Sequence, residues 1–253
     1  MPEPASMALL STGCLGLAIR FVQNQYNAAK PYVDWVAALV LLVVTGPLIL
    51  LCAALVKLTS RGPAFYLQER VGQRGRIFRL IKLRTMYADA EADTGPVWSP
   101  GRDDPRITPV GRLLRRLHLD ELPQLVNVLR GEMSLVGPRP ERPTFVNTLR
   151  EEVTDYERRL SVKPGITGLA QIRAGYDRTI RDVRRKVRLD CLYIRRMCLW
   201  VDMLIIAGTV RALFLGSQER RDAGKETGGL EGHAWYSAPS RSSTSVAQGR
   251  KEA

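Results

Sequence analysis

The chain has 253 residues, enough for one domain with a buried core and appended segments. Its formal net charge of +13 indicates an anionic partner, which composition alone leaves open among nucleic acid, a membrane surface and phosphorylated substrates. The four cysteines form no CxxC pair and only two histidines accompany them, so we interpret the cysteines as structural thiols in a reduced compartment rather than as zinc ligands.

The first strong feature along the chain is the uncharged segment Trp35–Val56. As a straight helix its 22 residues measure about 33 Å, enough to cross a bilayer, and it is too long and too far into the chain for a cleaved signal peptide. Gly46 and Pro47 stand at its midpoint, where proline should kink or break the helix into arms of about 16 Å. The residues therefore allow a single spanning helix, which physical grounds alone favour slightly, or a re-entrant helix–break–helix.

Basic residues beyond this segment place the main body in the cytoplasm by the positive-inside rule: Lys57, Arg61, Arg70, Arg74 and Arg76. The next stretch predicts a β-hairpin, with strands over 64–71 and 76–85 around the turn "GQRG". Residues 88–109, which are rich in Asp, Gly and Pro, predict a long ordered loop.

Helical segments predominate after this loop. "PVGRLLRRLHL" predicts a short basic helix, and a second helix is expected to start near Leu122–Pro123 and to stop at Gly131. "SLVGPRPERP" predicts a stiff loop because three prolines fix its backbone. "TFVNTLREEVTDYERRL" predicts an amphipathic helix, and "KPGITG" predicts a turn.

An arginine-rich helix is predicted over 178–198, with one apolar face formed by Ile180, Val183, Val187, Cys191, Ile194 and Cys198. The helix either packs on the core with a solvated basic face or lies in the membrane interface, where arginines meet anionic headgroups. The following segment "LWVDMLIIAGTVRALFLG" is apolar but contains Asp202 and Arg211, so it is predicted to be packed or interfacial. The composition after Ser217 predicts a disordered tail.

The adjacent carboxylates Asp120 and Glu121 are the strongest candidate for chemistry. The default interpretation is structural, since acids at a helix start are stabilised by the helix dipole. Nearby arginines and the membrane segment favour a functional interpretation, because arginines bind phosphate and an aspartate can attack phosphorus to form an acyl phosphate. A Mg²⁺ ion would bring the anionic nucleophile to a diphosphate.

Several separated blocks resemble the bacterial sugar transferase family, the monotopic polyprenyl-phosphate phosphoglycosyl transferases. These are "GPAFYLQERVGQRGRIFRLIKLRTM", "DDPRITPVGRLLRR", "LDELPQLVNVLRGEMSLVGPRPE" and "KPGITGLAQ", in the family order. The resemblance implies transfer of a sugar 1-phosphate from a UDP-sugar to polyprenyl (undecaprenyl) phosphate, which starts the assembly of exopolysaccharide, capsule, O-antigen or a glycoconjugate. It implies no nucleic-acid partner and leaves homo-oligomerisation open.

The resemblance also implies roles for particular residues. Asp120 would be the nucleophile and a Mg²⁺ ligand, and Glu121 would orient the pair or act as a base. Arg115 and Arg139 would hold phosphate oxygens, with Pro138 and Pro140 stiffening the loop that binds the nucleotide. His118 stands where the family commonly has a small hydroxyl residue, and we interpret it as a packing residue.

The expected fold is a mostly helical α+β membrane-associated domain with a β-hairpin and a re-entrant anchor that breaks at Gly46–Pro47, where the family more often has Ser-Pro. The resemblance thus reverses the preference for a spanning helix. The expected divisions are an N-terminal extension (1–29), the anchor (30–58), a catalytic domain on the cytoplasmic face of the bacterial inner membrane (59–216) and the tail (217–253). The alternatives are a non-catalytic basic membrane adaptor and a membrane phosphatase that uses an aspartyl phosphate.

Overall fold

The computed structural model describes the backbone of residues 4–90, 104–174 and 179–214, and the side chains of 23–90, 104–174 and 179–213. The predicted tail (217–253), most of the predicted loop (91–103) and the side chains of residues 1–22 lie outside this part. The described chain is mostly helical with two small sheets, which confirms the expected α+β class at this level.

A single long helix, α1 (Pro4–Thr59), opens the structure. Its portion Gln23–Thr59 is the one helix of the described residues that is long and apolar enough to cross a membrane, and little of its most apolar window is buried. The expected interruption at Gly46–Pro47 is not present, because helical backbone continues through both residues. Proline removes one backbone donor, which can bend a helix without ending it.

The predicted β-hairpin is confirmed. Strands β1 (Phe65–Val71) and β2 (Ile77–Leu83) pair antiparallel, from Phe65 opposite Leu83 to Val71 opposite Ile77. A 3₁₀ turn over Gln73–Gly75 joins them, with Arg74 and Gly75 at positive φ. The hairpin places the two ends of β2 against different parts of the core: Phe78 and Leu80 contact α1 and the following helices, and Leu83 is fully buried.

The elements after the hairpin are short until α6 and α7, which have 17 and 16 residues. In chain order they are α2 (Pro109–Arg116), α3 (Leu125–Leu129), β3 (Ser134–Val136), α4 (Pro143–Glu152), β4 (Gly165–Thr167), α5 (Leu169–Arg173), α6 (Ile180–Arg196) and α7 (Leu199–Phe214). The strands β3 and β4 pair in parallel inside segments that the sequence predicted as a loop and a turn. Only two residue pairs define this ladder, too few for a periodic pattern to reveal it.

Two helix predictions need comment. The helix predicted over 144–160 divides into α4 and a 3₁₀ turn (Tyr156–Ser161), because Val153 is extended and Asp155 takes a left-handed conformation. The apolar face predicted for α6 is confirmed at Val183, Val187 and Cys191, which are buried against α4 and the hairpin. Cys198, predicted on the same face, is half-buried and lies beyond the end of α6.

A buried polar network joins α1 to the body. The Lys30 ammonium donates to the Asp202 carboxylate of α7 and lies 3.5 Å from Asp34 Oδ2. The Asp34 carboxylate accepts a hydrogen bond of 2.7 Å from the Ser134 hydroxyl at the start of β3. The Tyr193 hydroxyl of α6 lies 2.8 Å from Asp202 Oδ1. All these groups are less than 9% exposed, so the network fixes α1 against both α7 and β3.

Replacing Asp202 with alanine is expected to destabilise the protein by about 3–5 kcal/mol, because Lys30 loses the acid that it contacts directly in a buried position. The measurement is the thermal unfolding midpoint in detergent, with the exposed Glu151→Gln as control. An unchanged midpoint for Asp202→Ala would contradict this role.

Candidate active site

The acidic pair lies on a 3₁₀ turn, Leu119–Gln124, between α2 and α3. His118 precedes it in a left-handed conformation (φ 54°, ψ 22°), which reverses the chain direction after α2. The turn thus begins three residues before the predicted helix start, with Pro123 inside it. Because a 3₁₀ helix has three residues per turn, neighbouring side chains point about 120° apart. Asp120 and Glu121 therefore face different partners.

Glu121 is held by Arg139. The two guanidinium nitrogens donate to the two carboxylate oxygens at 2.7 and 3.3 Å, which is a bidentate ion pair. Burial opposes the charge on Glu121, but the Arg139 guanidinium outweighs it and lowers the pKa of this carboxyl below its ordinary value. The charge of Glu121 in turn raises the pKa of Arg139. The pair therefore stays ionised across the neutral range.

Asp120 has the opposite character. The residue is 7% exposed, and burial together with the neighbouring Glu121 raises the pKa of its carboxyl. The charges of Lys82 and Arg115 act in the other direction and favour the carboxylate. A carboxylate with little hydration and cations nearby is a better nucleophile than one in water. The two acids of the pair thus have different environments and can have different roles.

Lys82 belongs to this site although the sequence did not single it out. It lies in β2, and its ammonium is 5.2 Å from the centre of the Tyr66 ring on β1. Burial lowers the pKa of Lys82 to about 8, and the neighbouring Arg70 adds to this effect. The only signal in the sequence was a lysine near the end of a hairpin strand, and its proximity to Asp120 depends on how the hairpin packs.

Arg115 is placed by the close docking of α2 on the end of the hairpin. The Thr108 hydroxyl accepts a hydrogen bond of 2.9 Å from the Gly111 amide at the start of α2. A Cβ atom on Gly111 would lie 2.0 Å from the Thr85 carbonyl oxygen, so only glycine allows this approach. Arg115 Nε then donates to the Thr85 hydroxyl at 2.8 Å. The guanidinium is thereby oriented from the hairpin side.

The loop Pro138–Arg139–Pro140 follows β3 and brings Arg139 to the pair as expected. The structure therefore unites Asp120, Glu121, Arg115 and Arg139 with the two prolines of this loop. Gly46 and Pro47 lie apart from this site, in α1. In the part of the chain that the structure describes, no three His, Cys, Asp or Glu side chains form a group that could hold a metal ion by themselves.

We interpret His118 as a residue that serves the turn through its left-handed backbone conformation, and not as a catalytic imidazole. We expect His118→Asn to keep the reaction rate of this site within about threefold of the parent, since asparagine tolerates the left-handed conformation. His118→Val should instead destabilise the turn, because β-branched residues are strained there. A loss of 100-fold or more in a folded His118→Asn protein, measured as product release, would assign the imidazole a chemical role.

Comparison with known proteins shows the family of this chain. The profile of the bacterial sugar transferase family matches residues 25–216, and the chain belongs to this family. Among its relatives is the UDP-N-acetylgalactosamine-undecaprenyl-phosphate N-acetylgalactosaminephosphotransferase of Aeromonas hydrophila, 42% identical over 191 residues. A second is the UDP-glucose:undecaprenyl-phosphate glucose-1-phosphate transferase of Caulobacter vibrioides, 43% identical over 187 residues.

The match covers most of this chain and a variable part of the relatives. It spans 76% of the chain and 45% of the Aeromonas protein, and 73% of the chain and 69% of the Caulobacter protein. The undecaprenyl-phosphate glucose phosphotransferase of Komagataeibacter xylinus is 45% identical over 183 residues, 70% of this chain and 34% of that protein. The shared region contains the hairpin, the acidic pair and the arginine loop.

Proposed function

We propose that this protein is a phosphoglycosyl transferase that moves a sugar 1-phosphate from a UDP-sugar to undecaprenyl phosphate. The observation that carries the proposal is the asymmetry of the acidic pair: Glu121 is neutralised by Arg139, and Asp120 is buried beside Lys82 and Arg115. The names of the relatives, which include glucose and N-acetylgalactosamine transferases acting on undecaprenyl phosphate, support the substrate classes.

The first step uses Asp120 as the nucleophile. A carboxylate oxygen attacks the phosphorus that bears the sugar, and the bond from this phosphorus to the bridging oxygen of UMP breaks. UMP leaves with the electron pair, and the phosphosugar stays on Asp120 as an acyl phosphate. The raised pKa of Asp120 makes its carboxylate the stronger nucleophile, and Lys82 and Arg115 offset the charge that builds up on the phosphoryl oxygens.

The second step returns the enzyme to its starting state. An oxygen of undecaprenyl phosphate attacks the same phosphorus, and the bond between phosphorus and the Asp120 oxygen breaks. The products are undecaprenyl-diphosphate-sugar and the free carboxylate. Two displacements at one phosphorus let one cationic pocket serve both the nucleotide and the lipid phosphate.

We assign Glu121 an orienting role in preference to that of a base. Both of its oxygens accept hydrogen bonds from Arg139, and its pKa is lowered, so it has little tendency to take up a proton. The ion pair instead fixes the turn that presents Asp120. The half-exposed guanidinium of Arg139 also faces the space where a diphosphate would bind, next to the stiff Pro138–Pro140 loop.

The residues fit a Mg²⁺ site of the kind that relies on the substrate. Mg²⁺ commonly takes one or two carboxylates and completes its shell with substrate phosphates and water. Asp120 would supply the carboxylate, since Glu121 is committed to Arg139. When bound, the ion would neutralise part of the diphosphate charge during the displacement.

We propose that α1 is a re-entrant anchor bent near Pro47. Both flanks of its apolar stretch pack against the same body: Ala38 belongs to the buried cluster that contains Phe78 and Leu80, and Val56 belongs to the one that contains Leu83. If α1 crossed the bilayer between these flanks, the two parts of the body that pack on them would lie on opposite sides of the membrane. The catalytic domain, 59–216, then lies on the cytoplasmic face, with the extension (1–29) and the tail (217–253) as appendages.

We propose that α6 and α7 lie along the membrane interface. In α7 the side chains of Leu199, Trp200, Met203, Leu204, Val210 and Leu213 are exposed. Such a surface is costly in water and stable against acyl chains. The many arginines of α6 would contact anionic headgroups beside it.

Purified protein incubated with undecaprenyl phosphate, Mg²⁺ and a panel of UDP-sugars should release UMP. Dependence of UMP release on the lipid distinguishes a transferase from a phosphatase, which would release UMP equally without it. The absence of UMP with every sugar would contradict the proposal and favour a non-catalytic adaptor, whose lipid binding would fall steeply with salt.

Topology is tested by single cysteines at positions 28 and 58 in a variant that lacks the native cysteines. Both should react with a thiol reagent only after the inner membrane is permeabilised. Labelling of position 28 in intact spheroplasts would contradict the re-entrant anchor.

A further inference from the structure

The loop that carries Arg139 is held by its carbonyl groups. Two of its residues, Pro138 and Pro140, have no amide hydrogen, so backbone donors of the loop can fix it only in part. The structure instead gives a donor to each of four successive carbonyls, those of residues 138–141. The Gly165 amide binds the carbonyl of Pro138 at 2.9 Å, and the Val71 amide binds that of Glu141 at 2.9 Å.

The two central carbonyls are bound by arginine side chains. Arg159 Nη2 donates to the Arg139 carbonyl at 2.9 Å, and Arg70 Nη1 donates to the Pro140 carbonyl at 3.0 Å. Arg159 is 7% exposed, and the side chain of Arg70 is 17% exposed. Burial of two guanidinium groups costs free energy, and an arginine that served only to keep the protein soluble would stay at the surface. Their contacts with this loop therefore have another role.

The orientation of Arg159 indicates what it is for. Asp190 of α6 balances its charge, with Oδ2 3.1 Å from Nη2. The directed bonds of the guanidinium go to the Arg139 carbonyl and to the Tyr156 hydroxyl, at 2.9 and 3.2 Å. The fork of Arg159 is thus aligned with the loop, and Asp190 supplies the counter-charge.

Arg70 has the same arrangement from the other side. Its Nη2 donates to Gln68 Oε1 at 2.6 Å within β1, which fixes the side chain along the hairpin. Glu141 lies 3.7 Å away as the counter-charge, and the directed bond goes to the Pro140 carbonyl. Lysine could not replace either residue, because its single ammonium has no planar fork to hold two partners at fixed angles.

We infer that Arg159 and Arg70 are positioning residues for the transfer reaction: they hold the main chain of residues 139 and 140 so that the Arg139 guanidinium meets Glu121 and the substrate phosphates. The inference rests on the proposed function for its kinetic meaning, but the held loop is a property of the protein itself. Neither arginine touches the reacting atoms: Arg159 acts through Arg139, and Arg70 acts through Arg139 and through its charge beside Lys82.

The test uses the full chain with one charge-matched double variant and three single variants. Arg159→Met combined with Asp190→Asn removes the donor and leaves no buried charge unpaired, whereas Asp190→Asn alone keeps the bond to the Arg139 carbonyl. Arg158→Met is the control, because Arg158 is exposed and pairs only with Asp155 at the surface among the contacts described. Arg70→Met tests the second arginine independently.

In the UMP-release assay, the Arg159 double variant and Arg70→Met should each lower kcat/KM by roughly 10- to 100-fold. The reason is that displacing a substrate-binding group by about 1 Å can lower the rate by up to that factor. Asp190→Asn alone should cost less than tenfold, and Arg158→Met should match the parent. In an Arg139→Met background the Arg159 double change should cost less than about threefold, because effects that act through one residue are not additive. Equal losses in both backgrounds, or no loss in the parent, would overturn the inference.

Hydrogen exchange supplies a readout that does not need activity. The amides of the non-proline residues in 137–142 should exchange faster in the Arg159 double variant and in Arg70→Met than in Arg158→Met, with the rest of the domain unchanged. Unaltered exchange there would refute the inference. If the parent releases no UMP with any sugar, the proposed function fails, and the exchange result still decides whether the arginines hold the loop.

Discussion

Asp120→Asn is expected to reduce sugar-phosphate transfer by roughly 10³-fold or more, the scale seen when a catalytic nucleophile or its partner is removed. Asparagine keeps the shape of the side chain but cannot displace UMP from phosphorus. The direct measurement is a single turnover with UDP-sugar and no lipid, followed by the mass of the intact protein. The parent should gain one phosphosugar and release about one UMP per site, and the variant should do neither.

The matched control is Asp89→Asn, an exposed acid on the chain leading away from β2. It should behave as the parent in both measurements. A phosphosugar adduct on the Asp120→Asn protein would place the nucleophile elsewhere. Normal turnover without any adduct on the parent would instead favour direct attack of the lipid on the nucleotide sugar.

Arg139→Met is expected to lower kcat/KM for the UDP-sugar by roughly 10²- to 10³-fold, similar to the loss of one donor from an oxyanion site. It removes the partner of Glu121 and a cation that faces the substrate. Arg139→Lys should have a kcat/KM between those of the parent and of Arg139→Met, because lysine keeps the charge but not the planar fork of the guanidinium. UMP release at varied UDP-sugar concentration gives the measurement, and Arg130→Met, an exposed arginine after α3, is the control.

The same variant should change the pH dependence. In the parent, Arg139 lowers the pKa of Glu121, so this carboxyl remains ionised as the pH falls towards its ordinary range. Without the guanidinium, the effect of burial remains and raises that pKa, so Glu121 takes up a proton at a higher pH. The acid limb of the rate profile of Arg139→Met should therefore move to higher pH. A loss of rate with no displacement of this limb would separate the role of Arg139 from the charge of Glu121.

The acidic pair and its arginine were accessible from the sequence because each sits in a distinctive local context. Asp120 and Glu121 precede a proline in a basic segment, and Arg139 stands between two prolines. The hairpin was predictable for the same reason, since β-rich runs flank a turn of four residues. Apolar residues spaced three to four positions apart also predicted the buried face of α6.

The roles of Lys82, Arg70 and Arg159 could not be predicted in this way. Each is one basic residue among 38, and its function depends on contacts with residues far away in the chain. Arg70 binds a carbonyl 70 positions later, and Arg159 binds one 20 positions earlier. No local pattern distinguishes an arginine that binds a main-chain carbonyl from one on a solvated face.

The helix through Gly46–Pro47 illustrates a different difficulty. The sequence predicted a break because proline removes a donor, but a helix with many other hydrogen bonds can continue through one missing donor. What the local pattern could not supply was the packing of both flanks on one body, seen at Ala38 and Val56. The topology therefore depends more on tertiary contacts than on the proline alone.

The contact between Lys30 and Asp202 joins positions 172 residues apart, and this separation has a consequence for biogenesis. Helix α1 emerges from the ribosome well before Asp202 is made, so its Lys30 side chain lacks its direct counter-ion until α7 has been synthesised. The final packing of α1 on the rest of the domain must therefore wait for α7. The last described helix thus completes the burial of the first, and a chain that stalls before α7 lacks this buried ion pair.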